Sequence, residues 1–275
     1  MSGTLYVVGT PIGNMSDITL RAIETLNQVN FIAAEDTRVT VKLLNRLDIK
    51  KPMLSYHDHS SKFNADAIIN RILNGENCAI VTDAGMPCIS DPGEELVKLC
   101  YENNISVKVI PGPSAVISAL AISGLSTSRF SFEGFLSVTK KQRYEHLENV
   151  KNQKNTLIFY EAPHKLIYTL NDMLQYFGDR KISLCRELTK IYEEVLRLTI
   201  SEAIKYYEEK SPRGEYVLVI EGATNESEEI ITFDMAVEKV KELINQGVKT
   251  SDACKEIAKI TNYKKSELYT NIVNN

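Results

Sequence analysis

The feature that most restricts how this chain can fold is a regular alternation, over its first 124 residues, of short β-branched runs with amphipathic stretches. Leu5–Val8 is followed by a helical pattern over Leu20–Leu26, Phe31–Ala34 by Val39–Leu47, and Met53–Tyr56 by Ala65–Leu73. Cys78–Thr82 then leads to Glu94–Glu102, and Val107–Ile110 to Ser114–Ser123. Strands separated by helices at this spacing return through right-handed crossovers, so they run mostly parallel and are covered on both faces. The rhythm predicts one α/β domain over residues 1–124.

After Gly124 the rhythm changes. Strands are predicted over Phe130–Glu133, Thr156–Tyr160, Ile182–Cys185, Val195–Ile200 and Tyr216–Ile220, with helices over Lys140–Val150, His164–Phe177 and Ser201–Glu208. This reads as a second α/β domain over residues 125–223, whose strand order does not follow from the sequence. Ala223–Glu229 is polar and reads as a linker. Residues 230–275 read as a small helical module: Ala236, Val237, Val240, Leu243 and Ile244 form one stripe, Ser251 is a candidate N-cap for the next helix, and Ser266 for a last one. A helix-turn-helix and any other small bundle fit that pattern equally.

A chain of 275 residues, 43% hydrophobic, hides roughly three quarters of its unfolded surface and folds without disulfides or metal. Its five cysteines, Cys78, Cys88, Cys100, Cys185 and Cys254, are scattered without a C-x-x-C pair, which argues for reduced thiols and against a zinc site. No apolar run is long enough to span a bilayer, and Met1–Val8 lacks the pattern of a signal peptide, so a cytoplasmic protein is expected. The net charge of -4 gives no general attraction to polyanions. A nucleic-acid partner would need local patches, for which Lys140, Lys141, Arg143, Lys151 and Lys154, and separately Lys249, Lys255, Lys259, Lys264 and Lys265, are candidates.

Three loops at the carboxyl ends of the first domain's strands are rich in glycine and proline: Gly9–Asn14, Asp83–Gly93 and Pro111–Ala115. In an open α/β sheet that edge binds ligands. Glycine lets a ligand approach the backbone, and proline stiffens the loop beforehand. Neither a phosphate-loop lysine pattern nor a G-x-G-x-x-G turn is present, which turns the reading away from nucleoside triphosphates and nicotinamide cofactors.

These loops, with Glu35-Asp36-Thr37-Arg38, Gly134-Phe135-Leu136, Tyr160-Glu161-Ala162-Pro163-His164, Arg186-Glu187-Leu188-Thr189-Lys190 and Gly214-Glu215, occur in an order that closely resembles the ribosomal RNA small-subunit methyltransferase I family. The resemblance runs from about Leu5 to Gly222. It implies two α/β domains of the tetrapyrrole-methylase (class III methyltransferase) type, acting as a homodimer on S-adenosylmethionine. The implied reaction is methylation of the ribose 2'-hydroxyl of a cytidine in the decoding region of 16S ribosomal RNA, within the small subunit. Residue by residue, it implies a cofactor crevice at Gly9, Thr10, Pro11, Asp83, Ala84, Gly85, Cys88, Ser114 and Ala115. Tyr160, Glu161 and Ala162, with the strand end at Leu196 and Leu198, would close it from the second domain.

Methyl transfer from a sulfonium is an in-line displacement, accelerated by holding the attacking oxygen in line and excluding water. Glu35, Asp36 and Arg38 follow the second strand and are candidates to orient a ribose and take its proton; the resemblance favours that role over a helix cap at Asp36 or Thr37 with a solvated Glu35. His57 and His59 follow the third strand and are further candidates. Two alternatives stay open: a methylase of a small tetrapyrrole, and a non-catalytic RNA-binding or ribosome-assembly protein.

Overall fold

Thr4–Val8 (β1), Phe31–Ala34 (β2), Met53–Ser55 (β3), Cys78–Val81 (β4) and Ser106–Ile110 (β5) form a parallel sheet in the order β3-β2-β4-β1-β5. These elements come from a computed structural model of the chain, which describes residues 1–57, 62–224, 233–261 and 263–274. Every residue of β2 and β4 is buried, because both strands lie inside the sheet with helices on its two faces. On one face Leu5, Phe31 and Ile80 pack against Ile68 and Ile72 of α3 (Lys62–Leu73) and Leu96 of α4 (Glu94–Glu102). On the other, Val8, Ile32 and Val81 pack against Leu26 of α1 (Leu20–Gln28) and Leu44 of α2 (Thr37–Arg46).

Helix α5 (Ala115–Ser123) departs from the expected rhythm. Val116, Ala119 and Leu120 pack on Ile158, Cys185, Val217 and Val219 of a second sheet rather than on the first. Its sequence, Ala-Val-Ile-Ser-Ala-Leu-Ala-Ile-Ser, carries no charge and is apolar on nearly every side, so no stripe marks which sheet it should cover. Edge strand β5 is left with Val107 and Val109 exposed.

The second sheet comprises Phe130–Phe135 (β6), Thr156–Glu161 (β7), Lys181–Arg186 (β8), Glu194–Thr199 (β9) and Tyr216–Ile220 (β10), in the order β6-β7-β10-β8-β9. β6 runs parallel to β7, and the remaining pairs are antiparallel. Strand β10 therefore enters between β7 and β8 at the edge where those two leave. Helices α6 (Lys140–Val150), α7 (Leu166–Phe177) and α8 (Ile200–Glu209) cover the face opposite α5. β9 stops at Thr199 rather than Ile200 because the Thr199 hydroxyl accepts the Glu202 amide while the Glu202 carboxylate accepts the Thr199 amide, a reciprocal cap that starts α8.

The chain divides into two compact units, Met1–Ala223, which holds both sheets, and Thr224–Asn275. In the second, α9 (Phe233–Asn245), α10 (Thr250–Ile260) and α11 (Lys265–Asn274) enclose Ala236, Val240, Ala253, Cys254, Ile257 and Leu268. Lys249, not Ser251, occupies the N-cap of α10; the Ser251 hydroxyl instead accepts a 2.9 Å hydrogen bond from Lys265 Nζ. Ser266 lies inside the first turn of α11, where the Glu267 carboxylate accepts the Lys264 amide at 3.1 Å. Among the described residues no helix is long and apolar enough to cross a membrane.

Candidate functional site

Strands β4, β1 and β5 are neighbours, and the loops that follow them are joined backbone to backbone. The Thr10 amide donates to Gly85 O at 2.8 Å, and the Gly85 amide returns a bond to Thr10 O at 3.2 Å. The buried Thr10 hydroxyl adds a bond to Thr82 O at 3.2 Å. On the other side Gly9 lies so close to Gly112 that a Cβ built on it would stand 2.7 Å from the Gly112 Cα. Gly85 has φ +86°, a conformation that costs glycine little. The bare Cα at Gly9 is thus required by the packing of two loops.

These loops form one wall of a cleft of about 310 Å³, through Ile12, Ala84, Gly85, Met86, Ile89, Ser90, Asp91, Ser114 and Ala115. The opposite wall comes from the second sheet: Phe135, Tyr160, Glu161, Ala162, Cys185, Glu187, Leu188, Lys190, Glu215, Tyr216 and Val217. A β-bulge between Phe132 and Gly134, with Gly134 at φ +66°, aims Phe135 at the cleft. Phe135 and Phe132 lie 5.3 and 5.0 Å from the Tyr160 ring, making an aromatic wall. Burial, with the charge of Asp91, pushes the Tyr160 phenol up to about 12, so it stays protonated at neutral pH.

The segment after β8 is held in an unusual shape. Glu187 and Thr189 have φ +52° and +66°, and the Glu193 carboxylate accepts the Thr189 amide at 2.6 Å. Lys190 Nζ sits 3.0 Å from Glu187 and 3.9 Å from Glu215. Burial opposes ionisation of Glu187, but the Lys190 ammonium outweighs it and holds the carboxyl below its usual range. Gly13 admits the Lys190 side chain, which comes to 2.6 Å from where a Cβ would stand.

A carboxylate cluster lies at the ends of β2 and β4. One Glu35 oxygen accepts the Thr82 hydroxyl at 2.5 Å and the Asp83 amide at 3.2 Å. Glu35 is therefore a strut between two strands, and not the solvated group of the simpler reading. Asp36 caps α2 by accepting the Arg38 amide at 2.8 Å, and its carboxylate grips the guanidinium of Arg38 at 2.6 to 3.2 Å. That hydrogen bonding lowers the Asp36 carboxyl to about 2. Asp83 moves the other way: partial burial and then the charge of Glu35 hold its carboxyl above the usual range.

Of the residues implied by resemblance, Ala84, Gly85, Ser114, Ala115, Tyr160, Glu161 and Ala162 line the cleft. Gly9 and Thr10 tie the loops behind it, and Pro11 adjoins Ile12, which reaches the wall in its place. Cys88, at φ +71°, turns its thiol toward Gly93 beside the first core; burial, then the charges of Glu94 and Asp91, push it up to about 11. Leu196 and Leu198 pair with Leu184 and Ile182 and pack into the core under α7 and α8. Strand alternation puts their side chains on the face opposite Cys185 and Val217, so they do not line the cleft. Asp83 and the Glu35–Arg38 group gather beside the Ala84–Gly85 wall, whereas His57 is exposed after β3, two strands from β4. His59 lies outside the described residues.

The sequence reading missed Ile12, Met86, Ile89, Ser90, Asp91, Phe135, Cys185, Glu187, Leu188, Lys190, Glu215, Tyr216 and Val217 as wall residues. Phe135, the segment through Lys190, and Glu215 belong to strings already noted for their resemblance, so part of the signal was present. Their convergence depends on β10 inserting antiparallel between β7 and β8, which no local pattern encodes. The basic stretch of α6 is mostly satisfied internally: Arg143 binds Asp172 at 2.7 Å, Lys151 binds Glu148 at 2.5 Å and Lys141 approaches Glu145 at 3.9 Å.

The family model of tetrapyrrole (corrin/porphyrin) methylases matches residues 4–204. Proteins named ribosomal RNA small subunit methyltransferase I are 47% identical over 270 residues in Halalkalibacterium halodurans, covering 97% of this chain and 93% of that one. In Bacillus subtilis the identity is 45% over 271 residues, covering 97% and 93%. In Thermotoga maritima it is 47% over 220 residues, covering 80% of this chain and 99% of that one. Among solved structures, diphthine synthase superposes with a TM-score of 0.63 at 12% identity, covering 81% of this chain and 91% of that one. Uroporphyrin-III-C-methyltransferase from Thermus thermophilus gives 0.57 at 18% identity, covering 80% and 94%. These last two likenesses carry the fold alone.

Proposed function

This chain belongs to the ribosomal RNA small subunit methyltransferase I family of the tetrapyrrole methylases, and on that premise we propose that it methylates 16S ribosomal RNA from S-adenosylmethionine. The proposed acceptor is the ribose 2'-hydroxyl of a cytidine in the decoding region, presented by the small ribosomal subunit. The observation that carries the proposal is the convergence of the Gly9, Gly85 and Gly112 loops on one largely apolar cleft.

The cleft suits the donor in size and chemistry. Small-molecule sites start at about 300 Å³ and are mainly apolar with a few placed polar groups. Ile12, Met86, Ile89, Phe135 and Leu188 supply apolar walls. The start of α5, capped by the Ser114 hydroxyl, offers backbone amides suited to a carboxylate. Asp91, with Glu187 and Glu215 outnumbering the single Lys190 between them, leaves the wall net negative, which suits a sulfonium. Bound there, S-adenosylmethionine supplies a methyl group on positively charged sulfur, open to in-line displacement by an oxygen.

The protein's own part is to hold the ribose in line and to take its proton. Asp36, with its carboxyl near 2 and both oxygens on Arg38, is a weak base and serves to fix Arg38. Asp83, with its raised carboxyl, is the better proton acceptor, and Glu35 fixes its backbone. A homodimer is part of the same reading. The uncharged outer side of α5, where Ile117 and Ile122 are exposed, supports it, together with bare Val107 and Val109 of β5.

The test is incubation with labelled S-adenosylmethionine and small subunits from cells lacking the enzyme, followed by mapping of the modified nucleotide. Label on one cytidine ribose is the expected result. Label on a base, or transfer only to a small tetrapyrrole, would refute the proposal.

A further inference from the structure

The segment from Glu187 to Glu193 sends side chains in two directions. Leu188 is 7% exposed and forms cleft wall, whereas Ile191 and Tyr192, three and four residues on, are 95% and 75% exposed. This is not a slack loop. Two non-glycine residues hold left-handed backbone, the Glu193 carboxylate closes back onto the Thr189 amide, and backbone bonds run from Lys190 to Glu187 O and from Glu193 to Lys190 O, at 3.0 and 3.1 Å. A braced turn that exposes an isoleucine and a tyrosine beside a cleft presents them to something.

Charge pairing narrows what that something is. The cations of this segment are already engaged: Arg186 Nε lies 3.1 Å from Glu194, and Lys190 lies between Glu187 and Glu215. Glu193 adds further negative charge. The tip is therefore unsuited to a phosphate and suited to the flat, uncharged face of a base. A second copy of the chain is a poorer occupant, because two side chains fall far short of the roughly 800 Å² per partner that a stable interface buries.

We propose that Tyr192, with Ile191 beside it, stacks on an unpaired base of the acceptor RNA next to the nucleotide whose ribose enters the cleft. This rests on the methylation reading above, since a ribose buried in a cleft requires its nucleotide to leave the stack and strips a neighbouring base of its partner. The aromatic face replaces that partner and sets the register of the strand across the cleft mouth.

Two arms test this. In the first, a single-stranded RNA oligonucleotide carrying 2-aminopurine is titrated with the full-length protein and with Tyr192→Ala and Tyr192→Phe. Wild type and Tyr192→Phe quench the fluorescence, and Tyr192→Ala does not. In the second, single-turnover methylation of unmodified small subunits is followed. Stacking is worth about 1–3 kcal/mol per base, so Tyr192→Ala raises the subunit concentration for half-maximal rate roughly 5- to 150-fold while affinity for S-adenosylmethionine is unchanged. Absence of quenching by wild type, quenching that survives Tyr192→Ala, or a shift in oligomeric state that accounts for the loss would overturn the inference. Failure of wild type to label the subunits while it still quenches the oligonucleotide would instead overturn the methylation reading.

Discussion

Replacing Gly9 with alanine places a Cβ 2.7 Å from both the Gly112 Cα and the Met86 sulfur, and 2.8 Å from the Gly112 nitrogen. Ordinary contact begins at 3.4 Å, so the loops after β1 and β5 must part by about 0.7 Å. Methionine can move, but the two backbones are each anchored to a strand end. Overpacking of this kind costs about 1–3 kcal/mol, and for a chain of this length each kcal/mol lowers Tm by roughly 2–4 °C. The displacement also loosens the Thr10–Gly85 bridge that sets the cleft's near wall, and misplacement of reacting groups by about 1 Å is enough to slow turnover by about 100-fold. Gly85→Ala provides the contrast. Its Cβ meets only ordinary contacts, at 3.4 Å from Ile12 and 3.5 Å from Pro113 O, so the stability cost comes from φ +86° alone, roughly 1–2 kcal/mol. Its methyl stands in the cleft itself and acts mainly on affinity. Scanning calorimetry and isothermal titration with S-adenosylmethionine separate the two variants. A Gly9→Ala protein with the wild-type Tm and wild-type affinity would refute the loop-packing argument.

In a nuclear magnetic resonance titration the Asp36 carboxyl is expected near 2 and, in Arg38→Ala, back toward 3.8, because the guanidinium is the main cause of the depression. The stability it lends is fully present above the unfolded value near 3.8 and is lost as pH falls through 2; an unshifted signal in Arg38→Ala would contradict this. Glu35→Ala removes the acceptor of the buried Thr82 hydroxyl and lowers stability by about 1–3 kcal/mol in urea unfolding, an effect that Thr82→Val in the same background largely abolishes. Asp83→Asn keeps the hydrogen bond its amide makes to Glu35 and binds S-adenosylmethionine normally, yet slows single-turnover methylation by roughly 100-fold or more; an unchanged rate removes Asp83 from proton transfer. Ile117→Glu, on the outer side of α5, yields a monomer in sedimentation experiments with both sheets intact, whereas an unchanged dimer moves the interface elsewhere.

The first sheet was legible because parallel strands need long crossovers, so five β-branched runs separated by helices leave few arrangements. The loops were legible because Gly9 and Gly85 mark positions where a side chain is excluded by crowding or by a left-handed backbone. Helix α5 was misplaced for a physical reason: a helix apolar on nearly every side carries no record of which face it buries. The far wall was harder still. Cys185, Glu187 and Tyr216 come together through antiparallel pairing of β10 with β8, a contact between residues some thirty positions apart with no local counterpart. Leu196 and Leu198 show the limit of transferring roles by position, since period-two alternation turned them into the helix-covered core. For Asp36 and Glu35 the structure decides the structural reading of each. Asp36 does cap its helix while holding Arg38, and Glu35 is bonded to the next strand rather than to water.

Hydrogen exchange of the full-length protein with and without S-adenosylmethionine reads directly whether the three glycine-bearing loops hold the methyl donor. Slowed exchange is expected in peptides spanning 9–14, 83–93, 111–118 and 160–163, and across 187–191 and 214–217, with the segment 233–274 unaffected. Protection confined to 233–274, or absent from the three glycine-bearing loops, would contradict the claim that those loops hold the methyl donor.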